Sequence, residues 1–193
     1  MDPAPVEAWD KVDSVSDDEA FDRLYRLHYH AILAYCRRRT NATEAQDAAA
    51  EVFLVAWRRM DDRPDDDQIR AWLYGIAYRV IGHQWRGQHR RRRLHLRLVG
   101  VAQPAQPAAE AVAVGRSEDR RVLDAAARLR PSDQEILRLA GWEQLPHRKI
   151  AVVLGISPAA VDQRFHRAKK RLAREYDRLA TSNNSTGPGE GVQ

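Results

Sequence analysis

The sequence predicts an all-α protein of two small helical domains joined by a flexible linker, and three observations predict it. Apolar residues recur at helical spacing through every long segment. Between two such groups, residues 94–117 carry VAQPAQPAAEAVAVG, whose proline and alanine content suits a linker. In the segment 145–172, LPHRKIAVVLGISPAAVDQRFHRAKKRL, Gly155-Ile156-Ser157 breaks the period and Val161, Phe165, Ala168 and Leu172 restart it, which is a helix-turn-helix pattern. Gly155 suits the left-handed close of the first helix, Ser157 the cap of the second, and Pro158 a first-turn position where a missing N–H does no harm.

The second helix of that motif buries one apolar face and surrounds it with Gln163, Arg164, His166, Arg167, Lys169, Lys170 and Arg171. An ordinary solvated hairpin would explain a lone basic helix. The small Ala151, the turn glycine and the apolar anchor Val161 favour DNA binding in a major groove.

A chain of 193 residues with 44% hydrophobic content has ample apolar surface for helical cores. Its apolar runs are too short to cross a bilayer and its amino terminus is acidic, so no membrane segment or signal peptide is expected and the reading is cytoplasmic. One cysteine, Cys36, excludes an internal disulfide and a multi-cysteine zinc site. The formal net charge is +5 and the pI near 9.6. Its distribution matters more than its sum: residues 1–20 hold seven acids against one lysine, whereas residues 86–93 hold five arginines and no acid. The positive charge is placed where it can neutralise phosphates.

In chain order, residues 1–15 lack periodicity and are read as a disordered acidic tail. Ser16 and Glu19 have capping-box spacing and open a first helix, with Phe21, Leu24, Tyr25, His28, Ile32, Tyr35 and Cys36 as its apolar stripe and Arg37-Arg38-Arg39 at its carboxyl end, where the dipole favours cations. Thr43 and Gln46 repeat that spacing and open a second helix. Ala45, Ala49, Val52, Phe53 and Ala56 form its core face, and Asp47, Glu51, Leu54 and Arg58 form a stripe on the other. Spacing alone fits a docking surface and a solvated face with one stray leucine equally well. Residues 60–68, MDDRPDDDQ, form an acidic loop without the glycine and terminal glutamate of a calcium loop, so a solvated loop is the better reading.

Residues 69–93 continue as a long helix with a core face of Ile69, Trp72, Leu73, Ile76, Ala77, Val80 and Ile81. Arg70, Tyr74, Tyr78, His83, Trp85 and Arg86 interleave rings with cations, a pattern single-stranded nucleic acid uses. Core packing of the rings other than Trp72 fits equally well. Gly75, Gly82 and Gly87 each weaken the helix by up to about 1 kcal/mol, which points to close packing or a kink. After the linker come helices over 120–129 and 132–140, the latter opened by a Ser132/Glu135 capping box, then the helix-turn-helix; 180–193 is a disordered tail. The seven histidines show no ligand spacing, and no catalytic or nucleotide-binding motif occurs, so no enzyme, cofactor, metal site or small-molecule substrate is expected.

These residues resemble the extracytoplasmic-function sigma factors, a two-domain branch of the sigma-70 family of bacterial RNA polymerase sigma subunits, over residues 21–179. AQDAAAEVFLVAWRR at 45–59 resembles the family's polymerase-docking helix, RAWLYGIAYRVIGHQWR at 70–86 the helix that reads and opens the downstream promoter element, and residues 129–172 the upstream-element reader. The resemblance implies a sigma region 2-like domain over 16–93, a linker over 94–117 and a sigma region 4-like domain over 118–179. It implies a transcription initiation factor that binds core RNA polymerase, recognises −35 and −10 promoter DNA and helps melt it, with an anti-sigma factor as the usual inhibitory partner.

It further implies polymerase contacts at Asp47, Glu51, Leu54 and Arg58. Upstream DNA contacts fall at Ser157, Ala159, Ala160, Gln163, Arg164, Arg167, Lys170 and Arg171, and downstream or melting contacts at Tyr74, Tyr78, Arg79, His83, Trp85, Arg86 and Arg90. The chain departs from the family where Tyr78-Arg79 replaces Arg-Asn, His83 replaces an aspartate, Gln46 and Ala50 replace an acid and a glutamine, and Arg148 or Lys149 replaces an acid. A helix-turn-helix regulator that is not a polymerase subunit is the alternative; it needs only residues 118–179 and leaves the first domain unexplained.

Overall fold

The computed structural model describes residues 17–99 and 117–184; the expected amino-terminal tail, most of the expected linker and the end of the carboxyl-terminal tail lie outside them. The described residues are helices and short turns, without a strand among them. The helices are α1 (Asp17–Arg37), α2 (Ala42–Trp57), α3 (Asp66–Val99), α4 (Ser117–Ala127), α5 (Pro131–Gly141), α6 (His147–Leu154) and α7 (Pro158–Asn184), with a single 3-10 turn at Met60–Asp62. None is long and apolar enough to cross a membrane.

The apolar stripe of α1 and the small-residue face of α2 explain the first group. Ala45, Ala48, Ala49, Val52 and Ala56 are fully buried, so α2 lies close against α1 and α3, and Ile32, Tyr35, Phe53, Leu73 and Ile76 fill the space between them. The cap of α2 differs from the expected box. Asn41 is the N-cap, its side chain accepting from the Glu44 N–H at 2.9 Å. Asparagine is among the strongest N-caps, and it stands where the chain leaves α1. Acids at Asp66 and Asp67 suit the positive end of α3. That helix has 34 residues and continues through 94–99, so the expected linker is shorter by its first six residues.

In the second group, α4, α5 and α6 each pack on α7. Helix α5 opens with Arg130 as N-cap and Pro131 in its first turn, with no side-chain capping bond. The expected Ser132/Glu135 box does not form, because Glu135 is buried and committed elsewhere. The helix-turn-helix follows its sequence pattern: Gly155 closes α6 in the left-handed region at φ 65°, and the Ser157 hydroxyl accepts from the Ala160 N–H at 3.2 Å. Val161 and Ala168 are fully buried on the inner face of α7. Helix α7 runs to Asn184, so residues 180–184, expected in the tail, are helical.

The two groups pack on each other. Helix α6 lies along α3, and the buried residues of both groups form one continuous core.

Candidate nucleic-acid and protein interfaces

The outward face of the helix-turn-helix is built by default of burial. With Val161, Ala168 and part of Phe165 turned inward, Ala159, Gln163, Arg164, Arg167 and Lys170 are exposed, as is Ser157, and Ala160 is half-buried. Two contacts set α7 against its neighbours. His147 Nδ1 meets Asp162 Oδ1 at 2.5 Å and its ring packs edge-on to Phe165 at 4.8 Å. Arg171, expected at a phosphate, instead pairs with the mostly buried Asp133 of α5 at 2.5 Å. Its guanidinium is held by an acid of the protein, so in this arrangement it braces α7 on α5.

On α3, Tyr78, Arg79, His83 and Arg86 are exposed and Trp85 is half-buried against the core. They fall within three turns of one helix. Tyr74 is different. It is 1% exposed, stacks on Tyr35 at 5.0 Å and receives hydrogen bonds from Arg70 at 3.3 and 3.4 Å, so it is a core residue with no free face for a base. The Arg90 side chain lies outside the described residues.

On α2 and its C-cap, Asp47, Glu51, Leu54 and Arg58 are all exposed, Leu54 at 48%. Gln84, midway along α3, donates to Glu51 at 3.3 Å and ties this stripe to that helix. Beside it, Phe21, Tyr25, Tyr29, Phe53 and Trp57 form a cluster of edge-to-face and tilted ring pairs with centroids 4.8–6.5 Å apart, which stiffens the α1–α2 pair.

A buried ionic cluster joins the halves. Arg39 donates Nε and Nη2 to the two oxygens of Glu135, each at 2.9 Å, and Nη1 to Glu143 at 3.1 Å. Its guanidinium lies 3.4 Å from the Tyr35 ring centroid, and the Tyr35 hydroxyl donates to Glu135 at 2.9 Å. Arg38 adds two bonds to Glu143, at 2.5 and 3.3 Å. Arg39 is 4% exposed and Glu143 2%. Burial works against the Arg39 charge, but Tyr35, Glu135 and Glu143 outweigh it and hold its pKa above the ordinary value. Burial also pushes the neighbouring Cys36 thiol up to about 12 and raises the Tyr35 hydroxyl well above its ordinary value. No buried side-chain nitrogen or oxygen is left without a partner among the described residues. Sequence reasoning missed this cluster: Arg39 reads as a helix-end cation and Glu135 as a cap, and nothing local marks a partner about a hundred positions away.

Residues 24–91 match the family profile described as Sigma-70 region 2, and residues 119–172 that described as Sigma-70, region 4. RNA polymerase sigma factor CnrH of Cupriavidus metallidurans is 27% identical over 169 residues, 83% of this chain and 88% of CnrH. ECF RNA polymerase sigma factor BldN of Streptomyces coelicolor is 27% identical over 158 residues, 81% of this chain and 60% of BldN. The solved structure of CnrH in complex with the cytosolic domain of CnrY aligns with a TM-score of 0.59 at 25% identity, over 84% of this chain and 90% of that one. That of the sigma factor RpoE in complex with the anti-sigma factor NepR from Bartonella quintana shares the fold, with a TM-score of 0.57 at 18% identity over 82% of this chain and 98% of that one. With both regions matched in order on one all-helical chain, the protein belongs to the extracytoplasmic-function branch of the sigma-70 family of RNA polymerase sigma factors.

Proposed function

We propose that this sigma factor docks on core polymerase through Asp47, Glu51, Leu54 and Arg58. In the same reading it takes the upstream promoter element in the major groove with α7 and holds the melted downstream element on the exposed α3 residues. The observation that carries it is the division of α7: Val161 and Ala168 are fully buried while Gln163, Arg164, Arg167 and Lys170 remain exposed on one basic surface. Gln163 and Arg164 suit base edges, since an amide reads adenine and a guanidinium reads guanine bidentately. Arg167 and Lys170 suit phosphates, and Ser157, Ala159 and Ala160 stand at the helix amino terminus that approaches the groove.

On α3, Tyr78 and Trp85 provide rings and Arg79, Arg86 and Arg90 cations, with His83 between them. Stacking restores about 1–3 kcal/mol per unpaired base, which supports strand capture once the duplex opens. Residues 16–93 and 118–179 then act as two weak readers on one tether, each raising the local concentration of the other. An anti-sigma factor, as in the RpoE–NepR complex, is the partner that would control such a chain, and its place of work is the cytoplasm, with core polymerase.

The test is a titration of fluorescent core polymerase with the wild type and with Asp47→Lys/Glu51→Lys. Affinity should fall at least tenfold on charge reversal while the circular dichroism melt is unchanged. Equal affinities would remove the docking assignment.

A further inference from the structure

We infer that Asp162, held in place by His147, is a specificity-determining residue of the upstream reader and selects a cytosine in the base pair it faces. The inference rests on the proposed reading of α7 as the helix that enters the major groove.

Asp162 is an acid where the surrounding surface is basic. It is the one acid of α7 before Glu175, whereas residues 164–174 hold six arginines and lysines. Brought among phosphates, a carboxylate is repelled unless it is neutralised or finds a donor. Its own helix does not neutralise it. The neighbours at i+3 and i+4 are Phe165 and His166, and those at i−3 and i−4 are Ala159 and Pro158, so no arginine or lysine of α7 is spaced to pair with it. Among the described residues its ion-pair partner is His147, the first residue of α6, whose Nδ1 lies 2.5 Å from Oδ1. That contact needs a hydrogen on Nδ1, which the neutral ring supplies as well as the imidazolium.

The histidine is itself fixed. Its ring meets the half-buried Phe165 ring edge-on at 4.8 Å, and the Lys169 ammonium lies 5.7 Å from the centroid of the same phenyl ring. Phe165 packs on the core, so the carboxylate is oriented from the interior outward instead of turning freely. The contact uses Oδ1 and the Asp162 side chain is 64% exposed, which leaves Oδ2 to accept from a ligand. Asp162 stands in the second turn of α7, with exposed Ala159 and His166 one turn to either side. The amino-terminal turns of a recognition helix are the part that meets base edges.

Base chemistry makes the choice. In the major groove guanine presents N7 and O6 and thymine presents O4, all acceptors that a carboxylate repels. Adenine offers its N6 hydrogen beside the N7 acceptor, which suits an amide and not an acid. Cytosine offers its N4 hydrogen with no acceptor on its own edge, so it is the base from which an aspartate accepts. An acceptor already oriented by His147 loses little side-chain freedom on binding, which sharpens the discrimination.

The experiment is selection from a duplex library randomised over the upstream element, by the full chain assembled with core polymerase, followed by sequencing of the retained fragments. The wild type should prefer cytosine over guanine by about tenfold at one position. Asp162→Ala should bring the four bases at that position to near parity and keep the preferences at the others. Asp162→Asn, whose amide donates as well as accepts, should move the preference there toward adenine. His147→Phe keeps a ring against Phe165 but removes the hydrogen, so it should weaken the cytosine preference with an unchanged melting curve; His147→Gln, which keeps a donor, should weaken it less. A contact that only braced α6 on α7 would lower retention of every sequence alike, and a bare charge effect would raise it alike. Either result for Asp162→Ala, or a base profile identical to wild type, would overturn the inference. A wild type that selects no upstream motif at all would remove the reading of α7 as the upstream reader, and the inference with it.

Discussion

Arg39 is central to the arrangement, because its guanidinium nitrogens donate to Glu135, Glu143 and the Tyr35 carbonyl while its face covers the Tyr35 ring. Lysine cannot replace a planar fork of this kind. Arg39→Lys should therefore lower the thermal midpoint and loosen the halves together, and a calorimetric scan matching the wild type would contradict the assignment. Cys36 beside it gives a pH prediction. Its thiol is raised from 9.0 to about 12, so the folded state keeps a proton that the unfolded chain releases. The associated stability is present below about pH 9 and is lost as pH rises toward 12, a direction shared by Tyr35 and Tyr74. Native Cys36 at pH 8.5 should react with a maleimide far more slowly than the urea-unfolded chain; comparable rates would show that the site is open to solvent. Arg171 is the third case. Bound to Asp133, it should affect stability more than DNA affinity when changed to alanine, whereas Arg167→Ala should weaken DNA of any sequence and flatten the salt dependence. A paired melting curve and salt titration separate the two.

At the scale of elements, the parts that follow from local chemistry were legible in the sequence. The Gly155 turn, the Ser157 cap, the buried face of α2 and the apolar stripes of α1 and α7 all rest on contacts within a few residues, and periodicity reports those directly. What the sequence hid depends on distant partners. Glu135 has the spacing of a cap but is drawn to Arg39, and Tyr74 has the look of a stacking ring but is drawn under Tyr35. The Asn41 cap is masked in the sequence by Thr43 and Gln46, which offer a plausible box two residues later. Gly75 was readable as a close approach, but not the identity of α6 as what approaches. For α7, Arg164→Ala should cost about 1–3 kcal/mol on the upstream element and little on random duplex. Equal losses on both in a competition assay would make Arg164 a phosphate contact.

For the whole molecule, two helical groups pack through a buried ionic cluster into one continuous core. The exposed α2 stripe and the exposed face of α7 remain available in this arrangement, while the α3–α6 seam does not. The measurement that tests the account most directly is transcription by purified core polymerase on linear genomic fragments, with and without this protein, followed by sequencing of transcript starts. A small set of new start sites should appear that depend on the protein and share one upstream and one downstream motif. Start sites identical to those of core polymerase alone, with the protein still binding duplex DNA, would contradict it and leave only the helix-turn-helix half with a function.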